Sequence, residues 1–128
     1  MELTPLSPYK HTFSGQYGNS RADYFFSSRG DWRDAGYRAR LVDLVRNTAG
    51  DAPQDFDSYS LYVYEKTATL NAGFDGDADA LRGVHDADLI SFTRWTRGKM
   101  DIFYLIEDGD VVYDVLEDEA INPPWEFD

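Results

Sequence analysis

The feature that most constrains this chain is a run of three alternating apolar segments near its C-terminus, separated by short glycine-containing turns. In order, the segments read DLISFTRWT, MDIFYLIE and VVYDVL, and the turns lie at 97–99 and 108–110. Glycine readily takes the positive φ that tight hairpin turns require. The pattern therefore predicts three consecutive antiparallel strands.

The middle segment is apolar on one side along its whole length. Met100, Ile102, Tyr104 and Ile106 alternate with residues that are acidic only at the two ends of the segment. Because an edge strand usually presents a polar face to solvent, we expect this strand to lie in the interior of the sheet.

A helix is predicted between residues 31 and 49. Asp31 suits the N-cap position, and Gly50 suits the position just after the last turn. Charged residues such as Arg33 and Asp43 fall on one side of this segment. The other side carries residues at helical spacing that can pack on a sheet, namely Tyr37, Leu41, Leu44, Val45 and Thr48.

The remaining segments complete one domain. Residues 1–30 are predicted to be rich in loops with a short strand at ADYFFSS, and residues 59–70 predict a long strand. Residues 119–128 form an acidic aromatic tail whose two prolines are expected to keep it on the surface. We expect a single α+β domain over residues 1–128, with the helix packed on one face of an antiparallel sheet of about four to six strands.

Composition excludes several classes of protein. The chain contains no cysteine, so disulfide scaffolds, thiolate zinc sites and cysteine nucleophiles are ruled out. A net charge of −12 argues against direct binding to nucleic acid, which requires neutralisation of phosphates. No apolar run approaches the length of a membrane span, and the N-terminus lacks the pattern of a secretory signal. We therefore expect a soluble cytoplasmic protein with no membrane partner.

The stretch GFDGDADALRGVHD places four acids at the spacing of ligands in a calcium loop. Asp75, Asp77 and Asp79 match the first three ligand positions, and Asp86 stands at the twelfth. Ala80 replaces the glycine that the sharp turn needs, and strands rather than helices are predicted on both sides. We therefore assign no metal ligand and expect a polar crossover, with weak divalent binding as the alternative.

No catalytic residue or cofactor is assigned from the sequence. The two histidines are His11, among N-terminal turns, and His85, beside acidic residues; no GxSxG signature supports a Ser-His-Asp site. No GxGxxG or Walker-type loop is present to hold a nucleotide phosphate.

Arginines are concentrated in and just before the predicted helix. As a site they would hold a phosphate or an acidic partner. As structural residues they would pair with the acidic end of the chain, and we favour this interpretation because that segment needs countercharge. The arginines are Arg29, Arg33, Arg38, Arg40 and Arg46.

The C-terminal third is the strongest indication of function. Residues 101–128 carry ten acids and no basic residue. Acidic surface combined with aromatic anchors is typical of proteins that dock on a basic protein face. We therefore predict a small non-enzymatic binding or inhibitor protein, of the toxin-immunity or phage-encoded type, that imitates the charge of nucleic acid for a basic, nucleic-acid-handling partner. The predicted partner-binding residues are Asp108, Asp110, Asp114, Glu117, Asp118, Glu119 and Trp125.

Two alternatives stay open at this point. One is a small enzyme with an Asp/His site. The other is a domain that binds a small ligand or metal in an aromatic pocket on the sheet. Trp125 has its own alternative, burial against the body of the protein. The residues that would line the aromatic pocket are Tyr59, Tyr62, Tyr64, Phe92, Trp95 and Tyr104.

Overall fold

The computed structural model describes residues 3–14, 20–31, 33–68, 70, 74, 80–81 and 85–127. The strands and the main helix follow one another along the chain. They are β1 (Thr4–Ser14), β2 (Ser20–Ser28), α1 (Ala35–Ala49), β3 (Ser58–Glu65), β4 (Leu89–Thr96), β5 (Lys99–Glu107), β6 (Asp110–Asp114) and β7 (Glu119–Glu126). Two short 3₁₀ turns lie at Ala52–Asp55 and Asp86–Asp88.

All seven strands form one sheet in sequence order, β1-β2-β3-β4-β5-β6-β7. Neighbours are antiparallel except β2 and β3, which run parallel because α1 connects them and returns the chain to the end where β2 began. The α+β prediction with one main helix is confirmed. The sheet has seven strands, slightly more than the four to six that were predicted, and it is mixed because one of its pairings is parallel.

Both additional strands lie at edges of the sheet and contain prolines. Proline is tolerated there because one side of an edge strand has no ladder to complete. In β1, which replaces the predicted loop-rich segment, the register with β2 shifts between Pro5 and Lys10. In β7, which replaces the predicted surface tail, Pro123 and Pro124 lie where the register with β6 shifts.

The predicted meander is confirmed. β4, β5 and β6 pair in order through two hairpins, and β5 is an interior strand. At the turns, Arg97 and Gly98 have φ of 52° and 81°, and Asp108 and Gly109 have φ of 51° and 83°. Positive φ at both central residues is the geometry of the two-residue hairpin turn that glycine favours.

Helix α1 starts four residues later than its predicted cap residue. Asp34, not Asp31, is the N-cap, and its carboxylate accepts a hydrogen bond from Gly36 N at 3.3 Å. Asp31 instead accepts from Arg33 N at 3.0 Å in the turn before the helix. Within the described residues, no helix has both the length and the apolar content that crossing a membrane requires.

Helix α1 covers one face of the sheet, which we call the covered face. The helix contributes Tyr37, Leu41, Val45 and Ala49 to a core with alternate residues of the strands. Those strand residues are Ala22, Tyr59, Leu61, Val63, Trp95, Phe103, Leu105 and Val112.

The opposite face, which we call the groove face, has a separate core. Its buried members are Leu6, Phe25, Tyr64, Leu70, Leu81, Leu89, Phe92, Ile106 and Val111. Neighbouring residues of β5 therefore serve different cores, with Phe103 on the covered face and Tyr104 packed on the groove face.

Candidate functional site

The predicted partner-binding residues lie on the β5–β6 turn, on the β6–β7 hairpin and on β7. The fold separates the acids into two groups. Asp108 and Asp110 lie at the start of β6, and Asp114, Glu117, Asp118 and Glu119 lie around its end. At the usual rise of a strand, Asp110 and Asp114 are about 14 Å apart along β6.

Each end of the β6–β7 ladder places two acids opposite each other. Asp110 pairs in register with Glu126, and Asp114 pairs with Glu119. Like charges directly opposite in an antiparallel ladder repel each other. The repulsion lowers the stability of the hairpin. The negative charge also disfavours pairing of the hairpin's edge with another acidic strand.

Two of these acids hold the hairpin loop in shape. Asp114 accepts hydrogen bonds from Leu116 N at 3.1 Å and Glu117 N at 3.3 Å. Asp118 accepts a hydrogen bond from the Tyr113 hydroxyl, which raises the pKa of Tyr113. The other predicted acids, Asp108, Asp110, Glu117 and Glu119, are exposed.

The same hairpin carries exposed apolar side chains. Among the described residues, the large hydrophobic side chains that are exposed are Leu116, at 41%, and Trp125, at 44%. The Trp125 ring packs against Tyr104 with centroids 5.2 Å apart and planes at 87°. The alternative predicted for Trp125 was burial against the body of the protein. The ring does contact the sheet, but it stays accessible to solvent.

The arginines near α1 reach the acidic end of the chain. Arg33 Nη2 lies 2.7 Å from a carboxylate oxygen of Glu107, and the Arg38 guanidinium lies over the Tyr113 ring, 5.0 Å from its centroid. The ion pair of Arg33, which precedes α1, agrees with the structural interpretation of these arginines, whereas Arg38 in α1 contacts an aromatic ring and not an acid. Neither contact neutralises the exposed acids of the β6–β7 hairpin.

The aromatic residues predicted to line one pocket are divided between the two faces. Tyr59 and Trp95 pack against each other on the covered face, with centroids 5.5 Å apart, and Trp95 lines a separate pocket of about 350 Å³ together with Met100 and Leu116. Burial raises the pKa of Tyr59 to about 12. Tyr62, Tyr64 and Phe92 lie on the groove face together with Tyr104.

A groove of about 520 Å³ opens on the groove face. Tyr104 and Trp125 form one wall, and Phe92 packs against Phe127 with centroids 5.1 Å apart. The volume lies within the range typical of small-molecule sites. The described residues that line the groove are Tyr62, Tyr64, Asp86, Leu89, Phe92, Arg94, Ile102, Tyr104, Trp125, Glu126 and Phe127.

Arg94 is the basic residue among the groove-lining residues named above, and it is held by Asp101. Arg94 Nη2 and Nε donate to the two carboxylate oxygens of Asp101 at 2.7 and 3.2 Å, and Thr96 Oγ1 donates to the same carboxylate at 3.0 Å. The hydrogen bonds from Arg94 lower the pKa of Asp101. The positive charge of Arg94 is thus balanced before any ligand enters.

A second cleft, of about 260 Å³, lies beside the start of α1. Burial raises the pKa of Glu65 there, and burial raises the pKa of Tyr37 to about 12. A catalytic carboxyl would need an acid–base partner within hydrogen-bond reach. The charge of Asp88 raises the pKa of Glu65 further, and the charge of Arg29 opposes that rise.

The remaining candidates from the sequence carry little chemistry. His85 Nδ1 lies 3.0 Å from Asp88 Oδ2, and its ring stands edge-on to Phe74. Asp75, Asp77 and Asp79 of the calcium-like stretch lie outside the described residues, and Asp86 is exposed in a 3₁₀ turn. Within the described ranges, no three His, Cys, Asp or Glu side chains are grouped as metal ligands.

The sequence analysis missed six lining residues of the groove: Asp86, Leu89, Arg94, Ile102, Glu126 and Phe127. One signal was present, because Trp125 and Phe127 are two residues apart, which places both on one side of a strand. The two prolines hid that signal by arguing against a strand.

No family model, no curated protein and no solved structure matches this chain.

Proposed function

We propose that this protein is a non-catalytic binding protein that docks on a basic surface of another protein through its acidic hairpin, β6–β7 with the preceding turn. One observation carries the proposal. Leu116 and Trp125, the exposed large hydrophobic residues of the described chain, both lie in the segment that has ten acids and no base. Apolar anchors inside a charged surface are what protein interfaces use for affinity, while the surrounding charge speeds association.

The paired acids of the ladder support the same function. Asp110 opposite Glu126 and Asp114 opposite Glu119 destabilise the hairpin in the free protein. A basic partner would remove that repulsion on binding. A surface kept at a cost to stability is typical of a site selected for binding.

The partner class follows from the charge. A nucleic-acid-handling protein presents the basic surface that such a hairpin fits, so inhibition of a toxin or of host machinery, as an immunity or phage-encoded protein performs it, is the role we favour. A cytoplasmic location is part of the proposal, since a fold without cysteine needs no oxidising compartment.

The test is a charge reversal confined to the exposed acids of the hairpin. Asp110, Glu117 and Glu119 are changed together to lysine, which leaves the loop-holding Asp114 and Asp118 in place. The matched control changes Asp43, Asp51 and Asp55 to lysine; these acids are also exposed and lie on α1 and the following turns.

A partner recovered by affinity capture is titrated against both variants by calorimetry at two salt concentrations. We expect the hairpin variant to lose about tenfold or more in affinity, with most of the salt dependence, and the control to lose less than about threefold. Equal losses in the two variants would show only a general charge effect and would refute the assignment of the hairpin.

A further inference from the structure

The groove beside Trp125 has walls made largely of aromatic rings. Tyr104 and Trp125 stand nearly perpendicular, at 87°, so ring surface meets the groove from two directions. Phe92 continues this lining, tilted at 55° to Tyr62 and at 50° to Phe127. Rings set at large angles to one another are the arrangement that surrounds a compact ligand rather than stacking on a flat one.

The charges along the groove are negative. Asp86 and Glu126 line it, and both are exposed. The one described basic residue of the lining, Arg94, is already bonded to both carboxylate oxygens of Asp101. The chain as a whole carries −12. An anionic ligand would therefore meet repulsion here, whereas a cation would meet uncompensated carboxylates.

We propose that this groove is a binding site for a small organic cation, a ligand whose positive charge is carried by a methylated or alkylated ammonium group. The faces of aromatic rings are electron-rich and attract such a group, which is easier to strip of water than a bare ammonium. The groove volume of about 520 Å³ accommodates a ligand of several carbon atoms beside its cationic head.

This site is distinct from the proposed docking hairpin. Trp125 and Glu126 belong to both, but Tyr104 and Phe92 lie on interior strands and Asp110, Glu117 and Glu119 do not line the groove. The two proposals can therefore fail separately: loss of the cation site leaves the charge-reversal test of the hairpin unaffected.

The experiment compares two probes of the same shape that differ in charge. Choline is the cation, and 3,3-dimethylbutan-1-ol is its neutral analogue, in which carbon replaces nitrogen. Each is titrated into the isotopically labelled protein while chemical shifts of the Trp125 indole and its neighbours are followed by NMR.

We expect saturable shifts with choline and about tenfold weaker binding of the alcohol. Equal affinity for the two probes would show an ordinary apolar groove and would overturn the proposal. So would the absence of a saturable response to choline up to about 50 mM, since a functional site for a metabolite binds at millimolar concentrations or below.

Two tyrosine variants test whether choline binds in the groove. Tyr104→Leu removes one ring of the groove. Tyr24→Leu is its match, because Tyr24 is also partly buried and packs on an aromatic ring, that of Tyr59 at 5.0 Å, but on the covered face. We expect Tyr104→Leu to weaken choline binding about fivefold and Tyr24→Leu to leave it unchanged. An equal response of the two variants would contradict the assignment to the groove.

Glu126→Gln provides a second test of choline binding, which is needed if Tyr104→Leu fails to fold. Glu126 is exposed, so the substitution is expected to leave the fold intact. Choline binding should weaken about twofold to threefold, while binding of the neutral alcohol stays the same. A parallel change for both probes would show that Glu126 acts on the shape of the groove rather than on the charge of its ligand.

Discussion

The two faces of the sheet are built from the same strands and similar residues, yet one is covered by a helix and the other carries an open groove. Strand β3 sends Tyr59, Leu61 and Val63 to the covered face and Tyr62 and Tyr64 to the groove face. On the covered face, α1 closes over the aromatic rings. On the groove face, rings of the same kind line an open volume. Aromatic content alone therefore does not identify a binding site. What matters is whether a second layer of structure covers the rings.

The faces also treat polar groups differently. On the covered face, Ser91 and Thr93 lie opposite Val63 and Leu61 in the ladder, and within the described part of the chain their buried hydroxyls have no hydrogen-bond partner. On the groove face, Arg94 is fully engaged with Asp101. Among the described residues, the groove face also has an unpaired buried hydroxyl, that of Ser27 opposite Tyr64, so the ion pair of Arg94 with Asp101 is what distinguishes it.

The largest expected effect is the loss of stability when a packed side chain of the covered face is truncated, compared with the same truncation on the hairpin. Leu41→Ala empties a fully buried position of α1, whereas Leu116→Ala changes a leucine that is 41% exposed on the hairpin. Urea denaturation should show a loss of about 3 kcal/mol in the free energy of unfolding for Leu41→Ala. For Leu116→Ala we expect less than about 0.5 kcal/mol. Similar losses would mean that the hairpin packs as tightly as the covered core.

The second comparison uses the ionisation of tyrosines. Burial raises the pKa of Tyr37 and Tyr59, both on the covered face, to about 12. Unfolded tyrosine ionises near pH 10, so above that pH the unfolded chain releases protons that the folded chain retains, and stability falls as the pH rises.

An absorbance titration should show a late tyrosine component that Tyr59→Phe diminishes. The same variant should reduce the loss of melting temperature between neutral and strongly alkaline pH. If Tyr59→Phe removed an early component instead, the covered face would be open to water.

The smallest expected effects on stability come from two residues on opposite faces, Thr93 and Asp101. Thr93→Val replaces an unpaired buried hydroxyl with a methyl group and should raise the free energy of unfolding by about 0.5–1 kcal/mol. Asp101→Asn breaks a partly exposed ion pair and should lower it by about 0.5 kcal/mol. Thermal melting of both variants checks the signs. A loss of stability in Thr93→Val would show that the hydroxyl has a partner after all.

Much of the fold was readable from local patterns. The alternation along β5 and the glycines of its two turns predicted the meander, and all three strands are present. The helix was predicted too, but its start was misplaced because Asp31 and Asp34 are equally suited to cap a helix by residue type. Asp34 is the residue whose carboxylate reaches a backbone amide of the first turn.

Edge strands and strand direction were not readable in the same way. Prolines argue against a strand in isolation, yet Pro5 and Pro123 lie in edge strands, where the register with the neighbouring strand shifts. The parallel pairing of β2 with β3 depends on where α1 returns the chain, which residue types do not specify.

By itself, the sequence determined the alternation of the strands, the helix, and the concentration of acids in residues 101–128, because each depends on residue type and short-range spacing. Only the tertiary structure decided that Tyr59 and Trp95 lie on the covered face while Tyr104 and Trp125 line a groove on the other face. It also decided that Asp110 and Asp114 face Glu126 and Glu119 across a ladder. These outcomes depend on which elements cover or pair with one another, and such long-range contacts leave no periodic mark on a single segment.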